Sequence, residues 1–524
     1  MMKTFNITGT CFPEEHYMVD ISDKLNQIVS MIDDGKYFCI NRARQYGKST
    51  TLHQLALLLA KHYIVFPLSF QRMSSAKFRD EDTFCRAFTD RLQRAARTSD
   101  MNGLDTNTFE KLIKKARNYD RQLDLTDMFD DLSDLCEASK RPVILMIDEV
   151  DNACNNQIFL DFLGQLRDLF LNRTMVSTFQ SVILAGVYDV KNLKQKIRSD
   201  EEHRYNSPWN IAADFDVDMC FHPKEIATML TEYENDHHTG MNIQEVSQFL
   251  FDYTDGYPYM ISKLCKLMDE GIASRKGWSK DGMLEAVRIF IKEPNSLFDD
   301  MTKKLNDNKE LKELIVNILF RGYKYTFEIN NPNIDLGLMF GFIKEKNNQA
   351  VIANRLFETK LYNLLLSEDE LQTDTAADSL EQRSQFISHG MLQMDIVMKK
   401  FYEYFEEICR TSTEKFIEEE GRRIFLMYLR PIINGTGNYY IEAQTRDRTR
   451  TDVVVDYKGQ QFIIELKLWY GPKYMEEGEQ QLFEYLDYYG QDKGYLLNFN
   501  FNKNKKTGIR ERKYKDKWLL EVTV

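Results

Sequence analysis

The chain has no long apolar run, no paired-cysteine motif and no excess of basic residues. Its eight cysteines include no C-x-x-C arrangement, which argues against a zinc site or a disulfide framework and is typical of a reduced, cytoplasmic protein. The longest apolar runs, such as Leu55–Ala60 and Val143–Ile147, fall far short of the roughly 20 residues that span a bilayer. The N-terminus has no basic segment followed by an apolar one, so we expect no signal peptide, no membrane partner and a cytoplasmic location.

Charge and size narrow the remaining classes of protein. The net charge is −12, so any nucleic acid would have to meet local basic stretches rather than a generally basic surface. Apolar residues make up 43% of the chain and aromatic residues 12%, which is ample for burial and excludes a disordered chain. A chain of 524 residues exceeds a single hydrophobic core, and we expect three or four units.

The first 225 residues or so alternate short apolar runs with helix-like runs. Since crossover helices connect parallel strands, this alternation predicts an α/β unit whose parallel sheet is covered on both faces. The expected strands are Tyr37–Asn41, Ile64–Phe70, Pro142–Ile147 and Ser181–Ala185, with Asp216–Phe221 as a candidate last strand.

The pattern changes several times in the rest of the chain. Residues 226–293 are helical with one interruption at Asp255–Pro258, and 294–366 contain a hairpin-like alternation, Phe342–Ile352, in an order typical of a winged helix. Residues 367–384 are acidic and rich in Thr, Ala and Ser, as in a linker. A second α/β unit should follow, with strands Tyr439–Glu442, Asp452–Tyr457, Gln461–Lys467 and Gly494–Asn500 and a helix Glu477–Tyr489.

A Gly-Lys-Ser junction follows the first expected strand. A phosphate cradle needs inward-facing backbone N–H groups at a helix N-terminus, a lysine for the phosphate oxygens and a hydroxyl for Mg²⁺. Gly47, Lys48 and Ser49 supply these groups between a strand and a helix. The full pattern has a glycine five positions before Gly47, where this chain has Arg42.

The apolar run Ile144–Ile147 ends in two acids. Asp148 is placed to hold Mg²⁺ through water, and Glu149 is placed to polarise an attacking water. Such a strand end is common in α/β proteins, but together with the Gly-Lys-Ser junction it predicts an ATP site. Two roles stay open: a γ-phosphate sensor or a surface turn at Tyr188 and Asp189, and an arginine finger or a solvated arginine at Arg198 and Arg204.

This region resembles the AAA-ATPase-like proteins of bacteria, whose phosphate loop commonly reads Arg-x-Arg-x-[Phe/Tyr]-Gly-Lys-[Ser/Thr]. Residues 42–49 fit that pattern, so the arginine in place of the first glycine is a family feature. The resemblance covers Phe5 to about Phe221, extends through the helical segment with Asp255–Pro258, and implies binding and hydrolysis of ATP with Mg²⁺. The implied nucleotide-binding residues are Tyr46, Gly47, Lys48, Ser49, Thr50 and Asp148, of which Ser49 and Asp148 also hold the metal, and Glu149 is catalytic.

A second constellation lies near the C-terminus. Hydrolysis of a phosphodiester needs an activated water and charge relief on the phosphate, which Mg²⁺ held by hard oxygen ligands supplies. Asp452 begins one apolar strand and Glu465 ends the next, so an antiparallel hairpin would bring both acids to one end. Lys467 leaves its strand on the same face as Glu465 and can orient the water or stabilise developing charge. The alternative is a charged strand end on an exposed hairpin.

A further acid is expected from the preceding helix, Lys415–Leu429. Glu420 lies near apolar residues on one face of that helix, and a carboxylate on a buried stripe needs a partner such as a metal. Glu418 and Glu419 are the nearby alternatives, and an ordinary solvated acidic run explains any one of them equally well. The predicted metal ligands are therefore Glu420, Asp452 and Glu465.

Residues from about 401 to 524 resemble the PD-(D/E)xK nuclease superfamily, in the version appended to AAA-ATPase-like proteins. The matching residues are Arg450–Asp452, Glu465–Lys467 and Gln481-x-x-x-Tyr485, although Thr451 stands where the family name has proline. The resemblance implies catalysis by Asp452, Glu465, Lys467 and Gln481, with Gln481 and Tyr485 directed at the nucleic acid. Alternatively, their helix only packs on the sheet. The basic run Lys503–Lys517 either contacts phosphates or is a solvated loop.

The leading hypothesis is an ATPase fused to a Mg²⁺-dependent nuclease, in which the ATP state controls cleavage of nucleic acid, with DNA favoured. The first alternative is a STAND-like regulatory switch whose nuclease-like domain binds nucleic acid or a partner without cutting, and the second is an interaction scaffold with vestigial sites. ATPases of this class often act as assemblies, which leaves a homo-oligomer open. The predicted domains are an AAA-ATPase-like P-loop NTPase domain (1–225), a helical lid (226–293), a winged-helix-like domain (294–366), a linker with a helix (367–400) and a restriction-endonuclease-like α/β nuclease domain (401–524).

Overall fold

The computed structural model describes residues 2–187, 209–320, 323–370, 386–408, 418–433, 437–444, 450–469, 471–502 and 506–524. The chain forms two compact units that alternate along the sequence. The first unit comprises Met1–Ile243, Gly256–Lys266 and Met339–Gly341, and the second comprises Gln244–Asp255, Leu267–Leu338 and Phe342–Val524.

The first unit is built on a parallel sheet with the strand order β1-β4-β3-β2. Its strands are buried almost throughout, as expected of a sheet that helices cover on both faces. Because the strands are parallel, their carboxyl ends meet at one edge, where the loops after β1 and β3 begin. The strands are β1 (Phe38–Asn41), β2 (Ile64–Ser69), β3 (Val143–Asp148) and β4 (Ser181–Gly186).

Phenylalanine side chains make up much of the core on one side of this sheet. Phe70, Phe84, Phe88, Phe159 and Phe162 are each 0% exposed, with ring-to-ring distances between 5.1 and 6.5 Å. The surrounding helices are α1 (Ser22–Asp33), α2 (Lys48–Leu59), α3 (Glu81–Thr98), α4 (Thr106–Arg117), α5 (Leu125–Ala138), α6 (Gln157–Leu171) and α7 (Pro223–His237).

The helical segment that follows divides between the units. Helix α8 (Ile243–Thr254) lies almost wholly in the second unit, whereas α9 (Pro258–Leu267) lies almost wholly in the first. A π-helical turn, Met268–Ile272, leads into the remaining helices of the second unit. These are α10 (Ala273–Lys276), α11 (Lys280–Lys292), α12 (Ser296–Asp307), α13 (Lys309–Phe320), α14 (Pro332–Met339), α15 (Arg355–Glu370), α16 (Met394–Ile408), α17 (Glu418–Ile433) and α18 (Pro472–Tyr489).

The predicted hairpin over Phe342–Ile352 is confirmed. It turns at Asn347 and Asn348, whose φ angles of 52° and 61° are tolerated well by asparagine and match the tight turns of two-residue hairpins. The hairpin belongs to a small sheet ordered β5-β7-β6, and a separate pair, β8-β9, follows. These strands are β5 (Tyr325–Thr326), β6 (Ile343–Lys346), β7 (Gln349–Ile352), β8 (Ile387–Ser388) and β9 (Met391–Leu392).

A mixed sheet with the strand order β10-β11-β12-β13-β15-β14 forms the C-terminal part of the second unit. Helix α18 covers one face, because Gly494 has no side chain and allows Leu482 and Leu486 to approach its backbone. Helix α17 packs on the opposite face through Gly421, which lies against the Phe499 ring. The strands are β10 (Gly437–Gln444), β11 (Arg450–Tyr457), β12 (Gln460–Leu468), β13 (Lys493–Phe499), β14 (Gly508–Tyr514) and β15 (Lys517–Thr523).

The sequence-based prediction of strands was wrong in two places. Asp216–Phe221 forms no strand, and among the described residues the edge of the sheet beside β1 carries an isolated bridge between Phe38 and Ala213. Strands β14 and β15 were also missed. Four consecutive charged residues, 510–513, give β14 no apolar pattern, and β14 is an edge strand with one pairing partner. No helix within the described ranges is long and apolar enough to cross a membrane.

Candidate nucleotide and nuclease sites

The lysine of the Gly-Lys-Ser loop is hydrogen-bonded to the backbone of the same loop. Gly47 has φ 78°, a left-handed conformation that glycine adopts without strain, and it precedes the first residue of α2. The Lys48 ammonium donates hydrogen bonds to the carbonyl oxygens of Arg42 and Ala43, both at 2.8 Å. Burial lowers the pKa of Lys48, while the nearby Asp151, Asp148 and Glu149 raise it. The lysine is therefore buried at a helix N-terminus beside a group of carboxylates.

Arg42, which replaces the expected first glycine, has a structural role. Its guanidinium group donates hydrogen bonds to the carbonyl oxygens of Phe215 at 3.3 Å and Val217 at 3.0 Å. The same group lies 5.3 Å from the centre of the Phe215 ring. Arg42 thus joins the phosphate loop to residues 215–217, just where the sequence had indicated the start of another strand.

The serine of the loop meets the acid at the end of β3. Ser49 Oγ lies 2.5 Å from Asp148 Oδ2 and donates to it. Both are hard oxygen donors of the kind that Mg²⁺ prefers, so the two residues fit a magnesium ion. The pairing follows from the fold, because β1 and β3 end at the same edge of the sheet.

Glu149 adopts a left-handed backbone conformation with φ 57° and ψ 41°. This conformation is uncommon for a residue with a side chain and is typically found at functional sites. Burial raises the pKa of Glu149, and the negative charges of Asp148 and Asp151 raise it further, while Lys48 opposes them. Asp151 is itself held by the backbone N–H of Val187, at 2.8 Å from Oδ2.

Lys48, Ser49, Glu149 and Asp151 line one cavity of about 540 Å³, a size typical of small-molecule sites. Gly47, Lys48 and Thr50 line the cavity, and the Thr50 hydroxyl accepts a hydrogen bond from the Cys11 N–H at 3.1 Å. The Tyr46 hydroxyl lies 3.0 Å from Cys220 Sγ. Residues from the N-terminal segment and from helices α7 and α9 complete the wall, among them Ile7, Met18, Val19, Met229 and Pro258. Sequence reasoning missed this second group, which carries no motif.

The nuclease-like residues meet on the α18 face of the C-terminal sheet. Glu465 is 1% exposed, and its Oε1 lies 2.8 Å from the Lys467 ammonium. Since they are two residues apart on β12, both side chains leave the strand on one face. A Cβ at Gly478 of α18 would lie 3.1 Å from Lys467 Cγ, so the helix runs directly over the lysine.

Asp452 lies at the same end of the β11–β12 hairpin as Glu465. Val453 pairs with Ile464 in the antiparallel register, so the next positions outward are 452 and 465. The side chain of Asp452 is outside the described atoms, and this placement rests on the backbone. Two carboxylates at adjacent positions of a hairpin fit a divalent cation. Within the described part of the chain, no group of three or more His, Cys, Asp or Glu side chains is arranged to hold a metal.

The other predicted nuclease residues lie at different positions relative to Asp452 and Glu465. Gln481 lies on α18, one turn beyond Gly478, and is partly exposed. Tyr485 is 1% exposed, which favours packing over contact with nucleic acid. Glu420 is in α17, whose next residue, Gly421, packs on the face of the sheet opposite α18. The side chain of Glu420 is outside the described atoms, so its role stays a prediction.

Several residues singled out from the sequence lie outside the described ranges. These are Tyr188, Asp189, Arg198 and Arg204, together with residues 371–384 of the predicted linker and 503–505 of the basic run. The rest of that basic run includes β14 and the start of β15.

The fold and the two sites define a P-loop ATPase-like protein with a nuclease-superfamily domain. A family model described as AAA-like domain matches residues 16–363, and one described as PD-(D/E)XK nuclease superfamily matches residues 438–512. The chain belongs to the AAA-like domain family. Its α/β fold class, with a P-loop parallel sheet and a C-terminal PD-(D/E)XK domain, is confirmed.

The solved structures that match the chain share little sequence with it. The Walker-type ATPase PABY2304 of Pyrococcus abyssi is 14% identical with a TM-score of 0.47, covering 68% of this chain and 99% of that one. A RuvB mutant of Thermotoga maritima is 12% identical with a TM-score of 0.34, covering 66% and 95%. The Aeropyrum pernix ORC2 protein in its ADPNP–ADP complexes is 12% identical with a TM-score of 0.39, covering 66% and 93%. No curated protein sequence matches the chain significantly.

Proposed function

We propose that this protein binds and hydrolyses ATP in its first unit and that its ATP state controls cleavage of nucleic acid, with DNA favoured, by its C-terminal domain. The observation that carries the ATP part is the 2.5 Å contact between Ser49 and Asp148. Ser49 lines one cavity of about 540 Å³ together with Lys48 and Glu149. These groups match the needs of nucleoside triphosphate hydrolysis: a lysine for phosphate, hard ligands for Mg²⁺ and a carboxylate for water.

In the ATP site, each side chain has a separate task. Lys48 exchanges the carbonyl oxygens of Arg42 and Ala43 for phosphate oxygens. Ser49 and Asp148 hold Mg²⁺, and Glu149 orients the attacking water and takes up its proton. Mg²⁺, when bound, neutralises phosphate charge and makes a bound water more acidic. Gly47 permits the turn that brings the backbone N–H groups to the phosphate, while Tyr46 and Thr50 hold the loop.

In the nuclease site, Asp452 and Glu465 hold the divalent cation, with Glu420 as a further ligand. Lys467 stabilises the charge that develops on the scissile phosphate, and Gln481 positions the nucleic acid or the water. The ion pair between Glu465 and Lys467 at 2.8 Å supports this assignment, because it puts an acid and a cation together on one strand face.

A nucleotide switch that binds nucleic acid or a protein partner without cutting is the second candidate. The observation that favours it is the burial of the nuclease pair: Glu465 is 1% exposed and Lys467 is 9% exposed. A site in this condition has to open before a phosphodiester can reach it. In the switch, that opening would serve binding alone.

One experiment separates the two candidates. The full chain is incubated with single- and double-stranded DNA and RNA, with Mg²⁺ or Mn²⁺, with and without ATP, while phosphate release is followed in parallel. The proposal expects divalent-dependent cutting that changes with ATP and disappears in Asp452→Ala, with ATP hydrolysis retained. The exposed Asp516, changed to Ala, is the matched control. ATP hydrolysis without cleavage of any nucleic acid would leave the switch.

A further inference from the structure

A buried amide on β13 lacks the hydrogen bonds that such a group needs. Asn498 is 0% exposed, and no described residue provides a hydrogen-bond partner for its Oδ1 or its Nδ2. Burial of an amide without hydrogen bonds is unfavourable, and nearly all buried polar side chains in folded proteins have partners. Asn498 therefore points to a partner that joins it in another state of the site.

The register of the sheet places Asn498 beside Lys467. Strands β12 and β13 are parallel, and Lys467 pairs with Asn498 while Glu465 pairs with Leu496. Paired residues of neighbouring strands project to the same face, so Asn498 shares the face of Glu465 and Lys467. Gly494, four residues before Asn498 and on the same face, is covered by α18, the helix that also runs over Lys467.

Glu465, which pairs with Lys467, is also a proposed metal ligand. The Lys467 ammonium lies 2.8 Å from Glu465 Oε1, in surroundings where Glu465 is 1% exposed. A carboxylate cannot turn to a cation without weakening this pair, and the loss of one acceptor by a buried ammonium is unfavourable. An additional oxygen on the same face removes this obstacle, provided that it is uncharged and so competes weakly for the cation.

We propose that Asn498 is the positioning residue that supplies this oxygen: its Oδ1 accepts a hydrogen bond from Lys467 when Glu465 turns to a divalent cation. The inference rests on the nuclease assignment of the proposed function. It explains why the amide is unsatisfied here, since Lys467 is held by Glu465. The next polar residue, Asn500, contrasts with it, because its Oδ1 accepts from the Asn502 N–H at 3.1 Å.

The test compares Asn498→Leu with Asn498→Asp in the full chain. Leucine has a similar volume and no acceptor, whereas aspartate keeps the oxygen. Mn²⁺ binding without nucleotide is followed by electron paramagnetic resonance. The nuclease-site share is the part of the total Mn²⁺ binding that Asp452→Ala removes. We expect Asn498→Leu to weaken that share by about tenfold, the effect of losing a hydrogen bond to a charged group, and to slow cleavage similarly. Asn498→Asp should bind Mn²⁺ at least as tightly as the wild type.

The unfolding temperature distinguishes a positioning role of Asn498 from a merely structural one. An amide without partners can be replaced by an apolar group at little cost, so Asn498→Leu should unfold at the same temperature as the wild type or higher. Asn500→Leu, which loses a made hydrogen bond, should unfold at a lower temperature and keep its Mn²⁺ binding.

The outcomes separate this inference from the proposed function. Unchanged Mn²⁺ affinity in Asn498→Leu, weakened affinity in Asn498→Asp, or Mn²⁺ binding that does not depend on Asp452 would each overturn the role of Asn498. A wild type that binds Mn²⁺ through Asp452 and never cuts nucleic acid contradicts the cleavage function, while the comparison of Mn²⁺ affinities still decides the role of Asn498.

Discussion

Gly478 lies directly over the side chain of Lys467. A Cβ at position 478 would stand 3.1 Å from Lys467 Cγ and 3.2 Å from its Cε, closer than nearly all contacts of real Cβ atoms. The absence of a side chain is what lets α18 approach β12 so closely. Since Lys467 is paired with Glu465, the glycine sets the position of both charged groups.

We predict that Gly478→Ala slows nucleic-acid cleavage by roughly tenfold or more, because small displacements of a catalytic group cost that much. Stability should change little, since the better helix propensity of alanine, worth about 1 kcal/mol, offsets the tighter contact. The measurement is the initial rate of cleavage beside a thermal unfolding curve. Gly164→Ala is the control, because Gly164 also lies within a helix and has nothing within 4 Å of its Cβ position. Equal rates for Gly478→Ala and the wild type would contradict the prediction.

Lys48 gives the most direct test of the nucleotide site. Its ammonium is buried at the N-terminus of α2 and has two loop carbonyls as acceptors. We predict that Lys48→Ala lowers ATP hydrolysis at least a hundredfold, roughly the loss expected for removal of a preorganised charged donor. Phosphate release is the measurement. Lys61→Ala, an exposed lysine just after the same helix, should hydrolyse ATP at the wild-type rate. Hydrolysis by Lys48→Ala at that rate would remove the assignment.

Arg42→Gly restores the glycine of the general phosphate-loop pattern, and we predict that it destabilises the protein. The change removes the hydrogen bonds to the carbonyl oxygens of Phe215 and Val217, worth roughly 2 kcal/mol for a charged donor. The unfolding temperature of the first unit should fall and ATP hydrolysis with it. Arg42→Lys, which keeps the charge but replaces the planar guanidinium group with an ammonium, should be intermediate. An unfolding temperature equal to that of the wild type would show that the contacts contribute nothing.

The sequence predicted those parts of the fold and sites that depend on local pattern. The four strands of the P-loop sheet and four strands of the C-terminal sheet are confirmed, because each is an apolar run bounded by polar residues. The family resemblances are confirmed as well. The predicted domain limits and site residues stay predictions, as do the winged helix and the homo-oligomer.

The missed features depend on residues brought together only by the fold. Arg42 satisfies carbonyls more than 170 positions away along the chain, so residues 215–217 bond to a side chain instead of extending the sheet. The role of Gly478 depends on the approach of α18 to the sheet, and that of Asn498 depends on the β12–β13 register. A lone glycine or asparagine carries no such signal in sequence, since strand register and helix packing are tertiary properties.

The fall in the rate of ATP hydrolysis at low pH, the acid limb of its pH profile, should follow the protonation of Glu149. Its carboxylate must be ionised to orient water, and burial together with Asp148 and Asp151 raises its pKa. Hydrolysis should therefore begin to fail at a higher pH than an ordinary carboxyl would give. Asp151→Asn removes one negative neighbour but keeps an oxygen for the Val187 N–H, so it should move the acid limb to lower pH. The measurement is kcat/KM against pH, and a limb that stays in place or moves upward would exclude Asp151 as a cause.

Asp456 should make the second unit less stable at neutral pH. The side chain is 2% exposed on β11, its Oδ2 is 3.6 Å from Arg288 Nε, and no described residue bonds to its Oδ1. Burial raises the pKa of Asp456 more than Arg288 lowers it. A carboxyl whose pKa is higher in the folded state favours folding while protonated, and this contribution is lost as the pH rises through the folded-state pKa.

We therefore predict that Asp456→Asn equals or exceeds the wild type in stability at neutral pH. At that pH the wild-type carboxyl is either buried with its charge or kept protonated above its ordinary pKa, and both cost free energy of folding. The advantage should shrink as the pH falls and vanish below the ordinary carboxyl pKa of 3.8. Urea unfolding midpoints at several pH values measure it, and Asp516→Asn, at an exposed turn, should show no such trend. A variant less stable than the wild type at neutral pH would mean that the attraction of Arg288 outweighs burial. In that case Arg288→Met should be destabilising as well, since it would leave the carboxylate buried without a counter-charge.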